Sequence, residues 1–411
     1  SLALGFKRRL QAQLEPVGAV LRSDLDLPAE VWRERPSLPH ASVLEHALDY
    51  AVTARADKLA RLRVAMAEAG ASHHFVSALD DIAWISNLRG SDVEYNPVFL
   101  AHLLLDAERC TLFVDTAKFD HDLHQRLQAD GIALADYADA RAALAMLPES
   151  ARLLFDPAHV VAGIIDAVPE HVQVIESANP STAMKAIKSD AELAHIRETM
   201  RQDGAALVHG FHRIEQALLA GERVTELGVE SILLEARAAR PGFVGESFST
   251  IAGYMANGAQ PHYRATLEDH AELKRDGLLL VDSGGQYLGG TTDITRVLAF
   301  GDTTAEQRRD CALVMKGMIG LSRARFPRGA SGPQLDALAR APLWAVGCDY
   351  GHGTGHGVGY FLNVHEGPHG IRPPVPGGAL VALEPGMINS IEPGLYKSGR
   401  HGIRHENLAV V

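Results

Sequence analysis

Hydrophobic and polar residues follow two different periods in the first part of the chain. Between residues 55 and 69 the apolar positions recur at helical spacing, and the segment ends before Gly70. Short apolar runs typical of β-strands lie at residues 73–78, 102–106, 110–115 and 153–156. Strands that alternate with amphipathic helices predict an α/β domain over residues 43–178.

The chain changes character at residues 179–180, an Asn-Pro pair that favours a turn. Soon afterwards Ser189 and Glu192 stand at the spacing of a capping box, in which each side chain accepts a hydrogen bond from a backbone amide at the start of a helix. Two helices are predicted to follow, one from the capping box towards residue 219 and one over residues 225–239.

After residue 245 the pattern changes again, to short apolar runs separated by glycine-rich turns. The runs cover residues 278–282, 294–300 and 379–386. One more helix is predicted over residues 304–325. This mixture predicts an α+β domain over residues 179–411. Residues 1–42 show no complete domain pattern, and we interpret them as the remnant of a preceding region.

Composition limits the kinds of protein that this chain can be. It has 411 residues, of which 46% are hydrophobic and 22% are charged, as is typical of folded globular domains. Lys and Arg number 39 and Asp and Glu number 51, so the formal net charge is −12, and binding to nucleic acid or to an anionic membrane is not expected. Three scattered cysteines and the lack of a secretory signal pattern favour a reducing, cytoplasmic location. No stretch is apolar enough to predict a transmembrane helix.

Several common catalytic signatures are missing from the sequence. There is no GxxxxGK[ST] phosphate-binding loop and no GxSxG nucleophile turn, and the glycines of residues 351–359 do not fit GxGxxG. Residues 365–369 match HExxH, but this zinc motif requires a helix, and its two middle residues here are Gly367 and Pro368. Since proline costs about 3 kcal/mol and glycine about 1 kcal/mol inside a helix, we predict a segment that is not helical.

Two aspartates are predicted to lie close together in the second domain. Asp282 ends the apolar run at 278–282, and Asp293 comes just before the run at 294–300, with a glycine-rich stretch between them. This order predicts two antiparallel strands joined by a turn, with both carboxylates at one apolar wall. Since like charges repel in such surroundings, the pair requires a cation or a shared proton.

Further candidate ligands follow towards the end of the chain. Six histidines lie between residues 352 and 405, and Glu392 and Glu406 each stand next to an apolar stretch of strand type. Together with the two aspartates and a histidine at or near His356, they form a set of hard to borderline ligands. Such a set suits paired Mn²⁺, Co²⁺ or Zn²⁺ ions better than a structural zinc site built from cysteines.

The order of these residues resembles that of the creatinase/aminopeptidase/prolidase family with the pita-bread fold, and in particular its aminopeptidase P branch. The segments that carry the resemblance are VDSGG at 281–285, GTTDITR at 290–296, HGTGHGVGYFLNVHEGP at 352–368, EPGLY at 392–396 and GIRHEN at 402–407. A further match, ALDDIAWISNLRGSDVEYNPVF, lies at residues 78–99. The resemblance covers about residues 43–411 and implies a creatinase-like α/β N-terminal domain followed by an α+β pita-bread catalytic domain.

The resemblance also implies roles for individual residues. It implies two divalent metal ions, Mn²⁺ with Co²⁺ and Zn²⁺ as alternatives, whose ligands are Asp282, Asp293, His356, Glu392 and Glu406. Of these, Asp293 and Glu406 correspond to the ligands shared by both ions, and Glu392 is our candidate general base. Histidines that correspond to substrate-binding or transition-state residues are His262, His352 and His365. Tyr396 and Arg404 correspond to residues that orient the ligands.

The activity that the resemblance implies is hydrolysis, by a hydroxide held between the two metal ions, of the bond between an N-terminal residue and a proline at position two. Two alternatives remain open. One is a prolidase, which acts on Xaa-Pro dipeptides and needs a cation for the dipeptide's carboxylate. The other is a non-catalytic binding module on the same fold, which the presence of all five ligand positions disfavours. The resemblance is also compatible with a homodimer.

Two positions depart from the family pattern. Ser390 stands where threonine is often found, which keeps a hydroxyl group. His405 stands where an apolar residue is common, and we expect it to alter the surroundings of the ligands.

Overall fold

The fold consists of two structural units. The computed structural model describes residues 2–22, 25, 27–375 and 380–411 of the chain. The first unit comprises residues 1–93 and 97–185, and the second comprises residues 94–96 and 186–411. No helix in the described part of the chain is both long enough and apolar enough to cross a membrane.

The first unit is built on a six-stranded mixed β-sheet. Its strands are β1 (Leu44–Glu45), β2 (His73–Val76), β3 (Leu88–Arg89), β4 (Ala101–Asp106), β5 (Cys110–Val114), β6 (Ile132–Asp136), β7 (Arg152–Phe155) and β8 (Gln173–Glu176). The order in the large sheet is β6-β5-β4-β2-β7-β8. Strand β4 runs antiparallel to β2 and β5, and the other neighbours are parallel. The short strands β1 and β3 form a separate antiparallel pair.

Helices alternate with these strands, as the sequence pattern predicts for an α/β domain. The helices that begin before residue 186 are α1 (Leu4–Leu14), α2 (Leu27–Val31), α3 (Leu48–Ala51), α4 (Arg55–Glu68), α5 (Leu79–Ser86), α6 (His121–Ala129), α7 (Ala140–Ala145), α8 (Ala162–Ile165) and α9 (Pro180–Ala186). Helix α4 forms where the sequence predicts it, because Leu59, Leu62 and Met66 recur at helical spacing and are buried together.

The first residues of the chain contribute to this unit. Helix α1 packs Leu4 into a hydrophobic cluster that includes Phe155 and Val160. The Leu4 amide also donates a hydrogen bond to the Val160 carbonyl oxygen at 2.9 Å. The segment 1–42, which shows no domain pattern in the sequence, therefore includes a helix that packs on the α/β unit.

The second unit combines two helix pairs with small antiparallel sheets. Its helices are α10 (Asp190–Ala220), α11 (Glu226–Ala238), α12 (Ala305–Ser322) and α13 (Gly332–Trp344). Its strands are β9 (Phe243–Glu246), β10 (Ile251–Tyr254), β11 (Gly277–Ser283), β12 (Gly285–Tyr287), β13 (Gly290–Thr291), β14 (Ile294–Phe300), β15 (Gly355–Gly357), β16 (Glu366–Ile371), β17 (Ile388–Ile391), β18 (Gly394–Lys397), β19 (His401–Arg404) and β20 (Asn407–Val410). The sheet orders are β10-β11-β14, β13-β12-β9, β16-β15-β17-β20 and β18-β19.

The first helix pair packs on the sheet β10-β11-β14. Helix α10 begins at the predicted capping box, in which Ser189 Oγ accepts from the Glu192 amide at 3.3 Å and the Glu192 carboxylate accepts from the Ser189 amide at 2.8 Å. Leu207 of α10 and Leu233 of α11 are buried in one cluster with Leu279 of β11. The sheet therefore has one face covered by helices.

The second helix pair packs on the sheet β16-β15-β17-β20. Met318 of α12 and Leu335 of α13 are buried with Ile371 of β16 and Ile391 at the end of β17. The two halves of the unit thus repeat one plan, in which a pair of helices covers an antiparallel sheet.

Helix α13 was not predicted from the sequence, because it begins with Gly332 and Pro333 and contains Pro342. Proline usually ends or kinks a helix. Pro333, however, lies in the first turn, where its missing N–H has no partner to lose. The Gln334 side chain also accepts from the Ser331 amide at 2.8 Å and closes the start of the helix.

The predicted pairing of the two runs around Asp282 and Asp293 is confirmed. Strands β11 and β14 are antiparallel, and Asp282 lies opposite Thr295. The connection between them is longer than a simple turn, because it contains the hairpin of β12 and β13.

Two other segments bear on the sequence predictions. The apolar run 379–386 forms no strand over its described residues 380–386, apart from an isolated bridge at Ala382; residue 379 lies outside the described residues. Leu383 is instead buried in the core and bonded through its amide to a loop carbonyl. The HExxH match at 365–369 is not helical, as predicted, and four of its residues lie in β16.

A buried ion pair joins the first helix pair to β11. Arg237 of α11 donates to Asp203 of α10 at 2.8 Å and 3.2 Å, and both side chains are fully buried. Arg237 also donates to Ser283 Oγ at 3.0 Å, and the Tyr287 hydroxyl donates to Asp203 at 2.9 Å. Since Ser283 follows Asp282, this network holds the backbone next to a predicted metal ligand.

We expect Arg237→Met to lower the free energy of unfolding by about 3–5 kcal/mol, because it leaves the Asp203 carboxylate buried without its cation. The matched control is Arg213→Met. Arg213 pairs with Glu235 across the same two helices but at the surface, where an ion pair contributes about 1 kcal/mol or less. Urea unfolding followed by tryptophan fluorescence measures both variants. Equal losses of unfolding free energy in the two variants would contradict this prediction.

Candidate active site

A cavity of about 440 Å³ in the second unit collects most of the candidate residues. The predicted residues in its wall are His262, Asp282, Asp293, His352, His356, His365, Glu392 and Arg404. Wall residues that the sequence did not predict are Phe248, Ile251, Pro261, Gly353, Gly355 and Arg372. The two remaining candidates, Tyr396 and Glu406, lie against residues of this wall.

Strands of two sheets carry the five predicted metal ligands. Asp282 lies in β11 and Asp293 immediately before β14. His356 lies in β15, Glu392 follows β17, and Glu406 precedes β20. Because side chains alternate along a strand, the residue before Asp282 packs against the helix pair while Asp282 points to the opposite face.

Three of these ligands form the closest cluster. Ligand atoms of Asp293, His356 and Glu406 all lie within 4.8 Å of one another. His356 Nε2 is 3.4 Å from Asp293 Oδ2 and 3.3 Å from Glu392 Oε1. The other ring nitrogen, Nδ1, donates to the Gly357 carbonyl oxygen at 2.9 Å, and this bond directs Nε2 towards the carboxylates.

Arg404 begins a chain of hydrogen bonds along one side of the site. Its guanidinium donates to Asp282 Oδ2 at 2.6 Å and to Tyr396 Oη at 2.7 Å. The Tyr396 hydroxyl donates to His352 Nε2 at 2.9 Å, and His352 Nδ1 donates to the next carbonyl oxygen at 2.7 Å. In this chain of donors His352 Nε2 accepts a hydrogen bond, so the ring of His352 must be neutral. Burial lowers the pKa of His352 to about 4, which agrees with a neutral ring.

The carboxylates of the site have too few positive partners. Glu406 Oε2 accepts from Thr295 Oγ1 at 2.7 Å, but Glu406 Oε1 and Asp282 Oδ1 are buried with no hydrogen-bond partner among the described residues. Burial and the neighbouring carboxylates raise the pKa of Glu406 well above its usual range. Burial also raises the pKa of Glu392 to about 7, although His356 opposes this shift. At neutral pH these groups need added cations or protons.

His356 carries a proton that compensates for part of this charge. Burial alone would lower its pKa, but the hydrogen bond to Asp293 and the charge of Glu392 raise the pKa of His356 to about 9. A divalent cation bound at Nε2 must replace this proton. Buried carboxylate oxygens without partners, beside one imidazole, are a donor set that fits hard to borderline divalent cations.

The two positions that depart from the family pattern behave differently. Ser390 Oγ accepts from the His356 amide at 3.0 Å and donates to Glu392 Oε1 at 3.0 Å, so serine makes both contacts that hold these ligands. His405 does not belong to the cavity wall. Its Nε2 lies 3.1 Å from Cys311 Sγ, on a contact that involves no predicted ligand.

The other histidines differ in their placement. His262 is exposed in a turn after the 3₁₀ helix Met255–Ala259. His365 immediately precedes β16, and its ring centroid lies 4.4 Å from that of His356 in a T-shaped arrangement. His369, the second histidine of the HExxH match, is buried, and its Nε2 lies 2.9 Å from a backbone carbonyl of β17. It is therefore not part of the cavity wall.

One buried ion pair beside the site has no signal in the sequence. Lys188 and Glu366 are in contact, and each side chain is only 1% exposed. Glu366 follows His365 and lies opposite Gly357 in the β15–β16 register. The two charged partners are 178 residues apart, so no local pattern connects them.

Comparison with known families gives two matches that together cover most of the chain. A model of the creatinase/prolidase N-terminal domain matches residues 34–192. The model of metallopeptidase family M24 matches residues 194–411. Among curated proteins, aminopeptidase P2 from Arabidopsis thaliana is 39% identical over 94% of this chain and 58% of its own length. "Probable Xaa-Pro aminopeptidase P" from Laccaria bicolor is 39% identical over 100% of this chain and 64% of its own length.

Solved structures share the fold. X-prolyl aminopeptidase from Caenorhabditis elegans, described as a cytosolic enzyme with a dinuclear active site, is 30% identical with a TM-score of 0.92, over 99% of this chain and 67% of its own. Xaa-Pro dipeptidase from Bacillus anthracis is 23% identical with a TM-score of 0.70, over 87% of this chain and 95% of its own. The predicted α/β domain followed by an α+β pita-bread domain is confirmed. The chain spans less than two thirds of the two curated relatives described above.

We expect the metal-free protein to lose stability between about pH 6.5 and pH 9. Below pH 6.5 the neutral rings of His352 and His365, whose pKa values are lowered to about 4, favour the folded state as the pH rises and oppose this trend. The pKa of Glu392 rises from 4.5 to about 7 on folding, so the folded state binds more protons over this range and deprotonation destabilises it. The pKa of His356 rises from 6.5 to about 9, so its stabilising proton is lost at the upper end. Thermal unfolding in EDTA at a series of pH values measures the trend.

The control for this prediction is Glu406→Gln, which removes one buried charge and should weaken the decline. Saturating Mn²⁺ should raise the Tm of the unsubstituted protein by about 3 °C for each bound ion, since a ligand at 100 times its Kd contributes about 2.7 kcal/mol and a chain of 411 residues unfolds with an entropy of about 0.9 kcal/mol/K. The same addition should shift the variant less. A metal-free Tm that rises over this pH window, or equal Mn²⁺ shifts in both proteins, would be the opposite of what the buried charges imply.

Proposed function

Since this chain belongs to metallopeptidase family M24, we propose that it is a metalloaminopeptidase that hydrolyses the bond between an N-terminal residue and a proline at position two. The observation that carries this proposal is the gathering of four carboxylates and His356 at one cavity, with three further histidines in its wall. Similarity to proteins named aminopeptidase P and X-prolyl aminopeptidase supports the choice of substrate.

The proposed ligands of two divalent cations are the five residues Asp282, Asp293, His356, Glu392 and Glu406. Asp293 and Glu406 are assigned to both cations. Mn²⁺ is the first candidate, with Co²⁺ and Zn²⁺ as alternatives, because oxygen donors outnumber nitrogen donors in the set. When bound, such cations supply a water of near-neutral pKa and polarise the carbonyl group of the scissile bond.

Glu392 is assigned to accept the proton of the attacking water. His356 Nε2 and Ser390 Oγ both contact Oε1 of Glu392, which leaves Oε2 for proton transfer. A carboxylate in this place can then pass the proton to the leaving nitrogen of proline. Ser390 holds the carboxylate in one orientation during both transfers.

The histidines of the wall are assigned to the substrate. His365 is assigned to donate a hydrogen bond to the carbonyl oxygen as negative charge develops on it, where such donors contribute most to catalysis. His352 is neutral and is held by Tyr396, so it can contact the part of the peptide that follows the scissile bond without adding charge. His262 is assigned to the same side of the substrate.

Proline at position two limits how the cavity can recognise its substrate. The proline nitrogen has no N–H, so a hydrogen bond from that amide is unavailable. The ring must instead be recognised by contact, and the cavity wall offers an apolar surface at Phe248, Ile251 and Pro261. We assign these residues to the apolar contacts of the bound peptide.

A prolidase is the second candidate, favoured by one observation. The wall contains Arg372, a cation of the kind that a prolidase needs for the carboxylate of an Xaa-Pro dipeptide. The curated relatives that match nearly all of this chain are named as aminopeptidases, so the aminopeptidase stays the main proposal.

Product analysis after Mn²⁺ reconstitution distinguishes these functions. Mass spectrometry should detect release of the first residue from an Xaa-Pro-Yaa tripeptide, and no release from the matched Xaa-Ala-Yaa peptide. Cleavage of the Xaa-Pro dipeptide alone would support the prolidase. A protein that binds Mn²⁺ and cleaves none of the three peptides would refute both.

Two substitutions should separate a ligand from a residue that orients a ligand. We expect Tyr396→Phe to lower kcat/KM by about 10–100-fold, because it removes the link between Arg404 and His352 while the metal ligands remain. Asp282→Asn should lose more activity and should also lower the number of bound metal ions. Initial rates and metal analysis by mass spectrometry measure both effects. Full activity of Asp282→Asn would rule out its role as a ligand.

A further inference from the structure

A buried ion pair lies behind two histidines of the site. Lys188 Nζ contacts Glu366 Oε1, and each side chain is 1% exposed. Both backbones are fixed as well: the Lys188 amide donates to the Gly386 carbonyl oxygen at 3.0 Å, and Glu366 lies opposite Gly357, the residue after His356. Neither charged residue belongs to the cavity wall, so the pair does not face the substrate.

His365 depends on its neighbours for its position. It is exposed, whereas Val364 before it and Glu366 after it are buried. Gly367, which comes next, lies in open space, because a Cβ atom added there would meet no atom within 4 Å. Packing at Gly367 therefore does not hold this segment in place. The backbone of His365 is held between two anchors, one the apolar side chain of Val364 and the other the Glu366 carboxylate of the ion pair. The His365 amide also donates a hydrogen bond to Asn363 Oδ1 at 3.1 Å.

The nature of the second anchor matters for function. A buried ion pair contributes little net stability, because the loss of hydration offsets the attraction between the charges. Its contact is a charge-assisted hydrogen bond, however, and a hydrogen bond has a preferred direction that apolar packing lacks. We propose that Lys188, acting through Glu366, is a positioning residue that holds His365 over His356. This inference rests on the proposed peptidase function, in which His365 contacts the substrate.

Lys188→Met tests the proposal first. We expect kcat for an Xaa-Pro-Yaa peptide to fall by about 10–100-fold, as when other residues that orient a site are replaced, with KM changed much less. Lys188→Arg keeps the cation and should recover most of the activity. Equal kcat values for the Met variant and the unsubstituted protein would overturn the proposal.

A double-mutant cycle tests whether Lys188 acts through His365. If it does, Lys188→Met should change kcat by less than about twofold when His365 has already been replaced by alanine. Independent effects, in which the two losses multiply, would show that Lys188 acts by another route and would overturn the positioning role.

A second pair of variants separates positioning from stability. Lys188→Met alone leaves a buried charge and should lower the Tm. In Lys188→Met/Glu366→Leu both charges are gone, so the Tm should return towards that of the unsubstituted protein. The kcat of the double variant should stay low, because the hydrogen bond between the two side chains is still missing. The control is Arg55→Met, which removes a buried cation from Glu45 and Asp130 in the first unit. It should lower the Tm and leave kcat unchanged. If both kcat and Tm recover in the double variant, the ion pair has only a structural role and the proposed positioning role is overturned.

A measurement without substrate keeps this inference distinct from the proposed function. In Zn²⁺-loaded protein labelled with ¹³C at histidine Cε1, Lys188→Met should shift the resonances of His365 and His356 and leave that of His74 unchanged. Unshifted resonances in a protein that cleaves Xaa-Pro peptides overturn the positioning role alone. Shifted resonances in a protein that cleaves no such peptide support the positioning role and overturn the proposed function.

Discussion

The repulsion among four carboxylates, three of them buried and that of Glu392 half-buried, is the constraint on which the second unit depends. Asp282, Asp293, Glu392 and Glu406 meet at one cavity, and two of their oxygen atoms are buried without a hydrogen-bond partner among the described residues. The protein itself offers Arg404 and a protonated imidazole as compensation. Such an arrangement is costly for a folded chain unless cations are added. A site that is unfavourable by itself and favourable with divalent cations is what a metallopeptidase requires.

The fold resists this repulsion because the proposed ligands stand on strands and strand ends rather than on free loops. Each of the two ligand-bearing sheets is covered by a helix pair with an apolar core. Behind the ligands lie directional contacts between charges, Arg237 with Asp203 next to β11 and Lys188 with Glu366 next to β15. In our proposal the second pair positions the backbone of His365, and a catalytic site tolerates shifts of its residues poorly.

The sequence predicted the local parts of this arrangement and missed the distant ones. Asp282 and Asp293 could be placed together because their strands are neighbours in the chain, so that pairing follows from a short connection. The remaining ligands could be named by residue type and family resemblance, but their distances depend on how two sheets meet. Lys188 and Glu366 gave no signal, because the partners are far apart in sequence. Helix α13 was missed because proline usually ends a helix, and the helix contains both Pro333 and Pro342; Pro333 is tolerated because it lies in the first turn.

The most direct test of the central claim is calorimetric titration of Mn²⁺ into the metal-free protein near pH 7, in two buffers of different ionisation enthalpy. The carboxylate cluster predicts two bound ions per chain and release of protons on binding, since His356 and the buried acids must give up protons to become ligands. Binding without proton release, or no binding at all, would contradict the view that the buried charges of this cavity exist to hold metal ions.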